Sequence, residues 1–115
     1  MHEVGIANAI IEAGQLEAAR RAGSKLMRIG VRVGTLAGVD MEALRFAFTA
    51  ITQGTELGAV DFEIQSCPRR NLCLDCDCRF ESALYSDPCP DCGSGRTVMV
   101  GGEELDLAYV ELEDA

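Results

Sequence analysis

The stretch KLMRIGVRVGTLAGVDMEALRFAFTAI, residues 25–51, changes its hydrophobic period part-way along. In its first third apolar and polar residues alternate, with Met27, Ile29, Val31 and Val33 on one side and Arg28, Gly30 and Arg32 on the other. Successive side chains of an extended chain point to opposite faces, so the pattern predicts a strand with one buried and one solvated face. From Asp40 onward the spacing is helical: Leu44, Ala47, Phe48 and Ile51 form one stripe. Asp40 stands where its side chain can accept from the free amides of a first turn, and Gly54 is a natural stop.

The flanking segments extend this alternation of strand and helix. Before it, Ala7, Ile10, Ile11, Gly14 and Ala18 recur at helical spacing, with Glu12, Glu17, Arg20 and Arg21 opposite, which predicts an amphipathic helix from Glu3 to about Ala22. After it, AVDFEIQ (59–65) alternates again and turns Val60, Phe62 and Ile64 inward. The tail TVMVGGEELDLAYVELE (97–113) supplies a third extended element. Within it Leu105 and Leu107 share one parity while Val110 and Leu112 share the other, so a β-bulge near Ala108 and Tyr109 is needed to bring both pairs to the core. The resulting expectation is an α+β fold: two helices packed on a small three-stranded sheet, with a zinc-ribbon-like four-cysteine module inserted before the last strand.

The chain has 115 residues, enough for one main domain with its own core. No run approaches the ~18 apolar residues of a membrane span, and no basic-then-apolar leader opens the chain, which points to a soluble cytoplasmic protein with no membrane partner. The formal charge of −9, from 19 acidic and 10 basic residues, disfavours nucleic acid, whose phosphates require clustered Lys and Arg.

All six cysteines lie between Cys67 and Cys92. In CLDCDCRFESALYSDPCPDCG (73–93) they include two C-x2-C pairs, Cys73 with Cys76 and Cys89 with Cys92. Each pair can present two thiolates to one ion, and the intervening loop lets the two turns face each other as a closed tetrahedral set. Zn(II) suits four thiolates, and iron is chemically admissible as well. Such a site leaves no open position for a substrate, so its role is to hold together a segment too small for its own core. Gly93 follows the second pair where a left-handed residue is wanted; Asp77 holds the equivalent place after the first. Cys67 and Cys78 are left over, readable as spare thiols, as a redox-sensitive pair, or, for Cys78, as a competitor of Cys76.

The single histidine is His2. With the Met1 α-amine and the His2 backbone nitrogen, its imidazole can form fused chelate rings around one edge of a square plane, a preference of Ni(II) and Cu(II). The bulky second residue should preserve Met1. Glu3 is either a fourth donor or an acidic residue favoured at a helix start. By residues alone, His2 reads equally as a solvated chain end.

The MHE start, the strand RVGTLAGV, the helix MEALRFAF, the strand VDFEI and the module C-x2-C…CPDCG occur in this order and together resemble the hydrogenase-maturation nickel metallochaperones of the HypA/HybF family. The resemblance covers essentially the whole chain. It implies a nickel-binding α/β domain (1–66 and 98–115) with an inserted zinc-binding domain (67–97). It further implies that Met1, His2 and Glu3 hold Ni(II) as transient cargo, and that Cys73, Cys76, Cys89 and Cys92 hold a structural Zn(II). A protein of this kind has no catalytic residues; it works with a nickel-inserting, HypB-like GTPase and delivers nickel to the large subunit of [NiFe] hydrogenase, in some bacteria also to urease. Pairing of two copies is left open. A competing reading from another class is a zinc-ribbon module that binds protein or nucleic acid with His2 incidental; a redox enzyme using C-x2-C is a third.

Overall fold

The computed structural model describes residues 2–84 and 86–114. Helix α1 (Glu3–Ala19) is followed by β1 (Lys25–Gly34), α2 (Met41–Thr52) and β2 (Asp61–Cys67). The short strands β3 (Arg70–Cys73), β4 (Arg79–Glu81) and β5 (Thr97–Gly101) come next, and β6 (Leu105–Glu113) ends the order.

Strand β1 is the centre of a three-stranded sheet, parallel to β2 and antiparallel to β6. Parallel neighbours need a crossover, and α2 provides it between β1 and β2. Asp40 caps α2 as its position implied, accepting from the Glu42 and Ala43 amides at 3.0 and 3.2 Å. The α1 helix stops at Ala19, short of the expected Ala22, and a turn through Gly23 leads into β1.

Ile29, Val31 and Val33 of β1 are buried beneath both helices, against Ala7, Ile10, Ile11, Leu44, Ala47 and Phe48. Burying each large aliphatic or aromatic side chain contributes ~1.5–3 kcal/mol, so this layer is the main source of stability. The Phe48 and Phe62 rings stack at 4.2 Å and tie α2 to β2. Along β6, Gly30 pairs with Tyr109 while Val31 pairs with Leu107, leaving Ala108 as the extra residue. The bulge required by the parity change is therefore where the sequence placed it, and Leu107 and Val110 both pack on the core.

The tail is not one extended element but two. Residues 97–101 form β5, which pairs with β3 in a second sheet of order β4-β3-β5, and only β6 joins the main sheet. Between them Gly102 adopts φ +123°, a conformation that side-chain-bearing residues avoid and that breaks the strand. The break is held by Glu104, whose carboxylate accepts from the Gly102 amide at 2.6 Å and pairs with Arg70 of β3. Three backbone bonds bind the same junction: Gly34 N–H to Glu104 O, Thr35 N–H to Cys67 O and Leu36 N–H to Gly102 O. The amides of Glu104 and Gly102, reinforced by Arg70, hold the Glu104 carboxyl below the usual carboxylate range.

Candidate metal centres

The second sheet carries the cysteine pairs at its turns. Cys73 ends β3 and is fully buried, and the chain then folds back so that its N–H donates to Cys78 O at 2.9 Å, while Asp77 N–H donates to Cys73 O at 3.0 Å. The second pair repeats this pattern: Cys89 N–H donates to Ser94 O at 2.9 Å and Gly93 N–H to Cys89 O at 2.8 Å. The two turns are thus one motif used twice, with Asp77 (φ +61°) in the left-handed place that Gly93 (φ +75°) fills in the other. Asp77 is the one non-glycine residue with positive φ among the described residues, and aspartate tolerates that region better than most.

The four sulfurs of Cys73, Cys76, Cys89 and Cys92 lie within 4.8 Å of one another. Across the two turns, Cys73 Sγ is 3.6 Å from Cys92 Sγ, and Cys76 Sγ is 3.6 Å from Cys89 Sγ. A tetrahedron with Zn–S bonds of ~2.3 Å has edges of about 3.8 Å, so this donor set fits zinc. Cys67 is buried at the end of β2 with its thiol toward Gln65 O, and Cys78 bonds Arg79 O; neither belongs to the group of four. All six thiols are free, so no disulfide joins the two spare ones.

Backbone amides and neighbouring thiols set the protonation of the group. The Cys92 amide, aided by that of Asp91 and opposed by burial, brings the Cys89 thiol down to about 7. At Cys76 the Cys78 amide favours the thiolate, but burial and the hydrogen bonds of the other three cysteines outweigh it and push the thiol up to about 12. Cys78 rises to about 11 because its thiol faces the Asp91 carboxylate and is partly desolvated. Thiolates are the metal-binding form, so loading this group releases protons.

One further contact is absent from the sequence reading. Asp75, in the first turn, accepts from Ser94 Oγ of the second turn and from the Arg96 guanidinium, latching the two halves together. The only hint in the sequence is an acid inside one C-x2-C pair and a serine and an arginine just beyond the other.

The described N-terminal donors, His2 and Glu3, stand at the start of α1. Met1 falls outside the described residues. His2 is the helix N-cap, extended at φ −89° and ψ 114°, and its exposed imidazole makes no capping bond. Glu3 begins the helix, and its carboxylate accepts from the Asp40 amide at 3.4 Å, against the start of α2. His2 and Glu3 line a shallow pocket with Val4, Gly5, Ala43, Phe46 and Ala47, in which Phe46 is 74% exposed.

A helix-covered sheet that presents an unengaged terminal imidazole, joined to a small sheet organised around four thiols, defines a metal-handling protein. The comparisons make the class specific. The family model for HypA, "Hydrogenase/urease nickel incorporation, metallochaperone", matches residues 1–112, and the chain belongs to that family. Hydrogenase maturation factor HypA of Acidithiobacillus ferrooxidans is 34% identical over 113 residues, covering 98% of this chain and 100% of its own. The Chlorobium luteolum factor of the same name is 35% identical over 114 residues, covering 99% and 97%. In fold, the chain is similar to the solution structure of the Ni metallochaperone HypA from Helicobacter pylori, with TM-score 0.66 at 22% identity and full coverage of both chains. A second solution structure of a HypA protein gives TM-score 0.71, also at 22% identity, covering 100% of this chain and 98% of that one. The family is one of metallochaperones for hydrogenase maturation and not of enzymes.

Proposed function

We propose that the chain takes up Ni(II) at its N-terminus and delivers it during maturation of [NiFe] hydrogenase, and of urease where the host makes one. The carrying observation is His2: an exposed helix N-cap whose imidazole is left free, beside the pocket that Phe46 and Val4 line. The Met1 amine, the His2 backbone nitrogen and the His2 imidazole supply three nitrogens at chelate spacing, and Glu3 assists from its place against Asp40. Capture at this position releases protons from the amine and the amide, so affinity falls as pH is lowered.

Cys73, Cys76, Cys89 and Cys92 hold zinc as a resident structural ion. When bound, zinc replaces the hydrophobic core that the small sheet lacks. Residues 1–66 with 98–115 make up the nickel domain and 67–97 the inserted zinc domain; the separate pairing of β3 with β4 supports that division, and the pairing of β5 with β3 favours extending the zinc domain to Gly101. Transfer occurs in the cytoplasm, with a HypB-like nickel-inserting GTPase and the hydrogenase large subunit as partners and with two copies of the chain associating. No helix among the described residues is long and apolar enough to cross a membrane.

The test is Ni(II) titration of the native-terminus protein, of His2→Ala, and of protein acetylated on Met1. Loss of the high-affinity, square-planar spectral signature in both altered forms is expected. Equal affinity and unchanged spectra in the three would refute the N-terminal site.

A further inference from the structure

In each cysteine turn the first cysteine is buried and the second exposed: Cys73 and Cys89 lie inside, Cys76 and Cys92 outside. The close sulfur contacts run across the turns, from Cys76 Sγ to Cys89 Sγ and from Cys92 Sγ to Cys73 Sγ, each at 3.6 Å. Every exposed cysteine of the group therefore touches a buried one of the other turn. Exposure decides which sulfur a small solute reaches first, and contact decides which sulfur stands next to it. Enclosure keeps structural cysteines inert, and half of this group lacks it.

We propose that the four-cysteine group is also a peroxide-responsive site: oxidation at Cys76 and Cys92 joins them to Cys89 and Cys73 as disulfides and releases zinc, a reading that rests on the zinc assignment above. Sulfurs that bind a metal are thiolates, the nucleophilic form. The Cys76 sulfur attacks one oxygen of hydrogen peroxide and the O–O bond breaks. The other oxygen leaves as hydroxide and takes up a proton, and Cys76 becomes a sulfenic acid. The Cys89 thiolate then attacks the Cys76 sulfur; the S–S bond forms, the S–O bond breaks, and the departing hydroxide takes up a second proton. The two thiolates have given two electrons to one peroxide, which ends as two waters. Cys92 and Cys73 repeat the sequence with a second peroxide. Thiolates are the metal-binding form and disulfide sulfurs are not, so zinc departs with its oxidation state unchanged.

The change is reversible because both disulfides bridge the turns, as zinc does, and Asp75 stays bonded to Ser94 and Arg96. The turns remain opposed, so a thiol reductant and fresh zinc restore the site by exchange. The larger sheet takes no part, since no cysteine belongs to its buried core. Cys78 lies beside Cys89, but its S–H is engaged by Arg79 O at 3.6 Å and by the Asp91 carboxylate. Cys67, at the end of β2, stands outside the group. Neither is needed for the exchange.

The test treats the full-length, zinc-loaded protein with hydrogen peroxide, reads zinc release with a chromophoric chelator, and maps disulfides by mass spectrometry after the remaining thiols are alkylated. Full release at about two peroxides per ion is expected, with Cys76–Cys89 and Cys73–Cys92 as the disulfides. Dithiothreitol and added zinc should return the zinc content to its starting value. Cys67→Ser and Cys78→Ser should release zinc at the rate of the parent and give the same map. Zinc retained under excess peroxide would overturn the proposal and leave the zinc assignment standing. So would disulfides formed within the turns, Cys73–Cys76 and Cys89–Cys92, or release slowed about tenfold by Cys78→Ser. A protein that holds no zinc when purified from zinc-supplemented cells would overturn both readings.

Discussion

The repeated cysteine turn makes a quantitative forecast, because the same left-handed position is glycine in one copy and aspartate in the other. At Gly93 (φ +75°) no atom lies within 4 Å of where a Cβ would stand, so Gly93→Ala meets backbone strain and no clash. The left-handed region costs an L-residue ~1–2 kcal/mol. Since metal binding and folding of the small sheet are one event, that strain should appear in metal affinity, where 1–2 kcal/mol is a factor of roughly 5 to 30. Gly93→Ala is therefore expected to weaken zinc binding by that factor, read by competition against a chromophoric chelator. Asp77→Gly removes strain at φ +61° but makes the unfolded chain freer by ~0.5–1 kcal/mol, so it should leave affinity unchanged or raise it by less than about tenfold. A Gly93→Ala protein that binds zinc as tightly as the parent, or an Asp77→Gly protein that binds it tenfold more weakly, would refute the equivalence of the two turns.

Three further outcomes are expected. Phe48→Ala removes a fully buried ring stacked on Phe62 and should cost ~3–5 kcal/mol, seen as a lower urea midpoint; a loss under ~1 kcal/mol would show that α2 does not depend on this contact. Glu104 has a lowered folded-state pKa, so its contribution is present above its unfolded value of ~4.3 and is lost as pH falls through the folded value. Urea stability of wild type should thus exceed that of Glu104→Gln at neutral pH and converge with it in acid; a pH-independent gap would contradict the role given to the carboxylate. Asp75→Ala should loosen the two cysteine turns and speed zinc loss to a chelator while leaving the main sheet's urea transition in place, and an unchanged release rate would dismiss the latch.

Much of this protein was legible along the chain. The switch of period between residues 25 and 51 located β1 and α2, Asp40 marked the helix start, and the parity change between Leu107 and Val110 located the bulge at Ala108. These readings succeed because a period or a cap is a property of consecutive residues, set by backbone geometry and side-chain polarity. The thiol group was legible for a similar reason: C-x2-C is a local spacing whose chemistry is carried by the residue type.

Only the tertiary structure divided the tail between two sheets, because TVMVG and LDLAYVELE are equally good strands and nothing in either names its neighbour. It also decided which sulfurs face each other, Cys73 with Cys92 and Cys76 with Cys89, and that Asp75 reaches Arg96 and Arg70 reaches Glu104 across 21 and 34 residues. Local patterning sets the elements and the donors, whereas pairing between distant segments follows from which combination buries the apolar stripes and leaves no buried polar group unmet. That condition is satisfied only when the whole chain is folded at once.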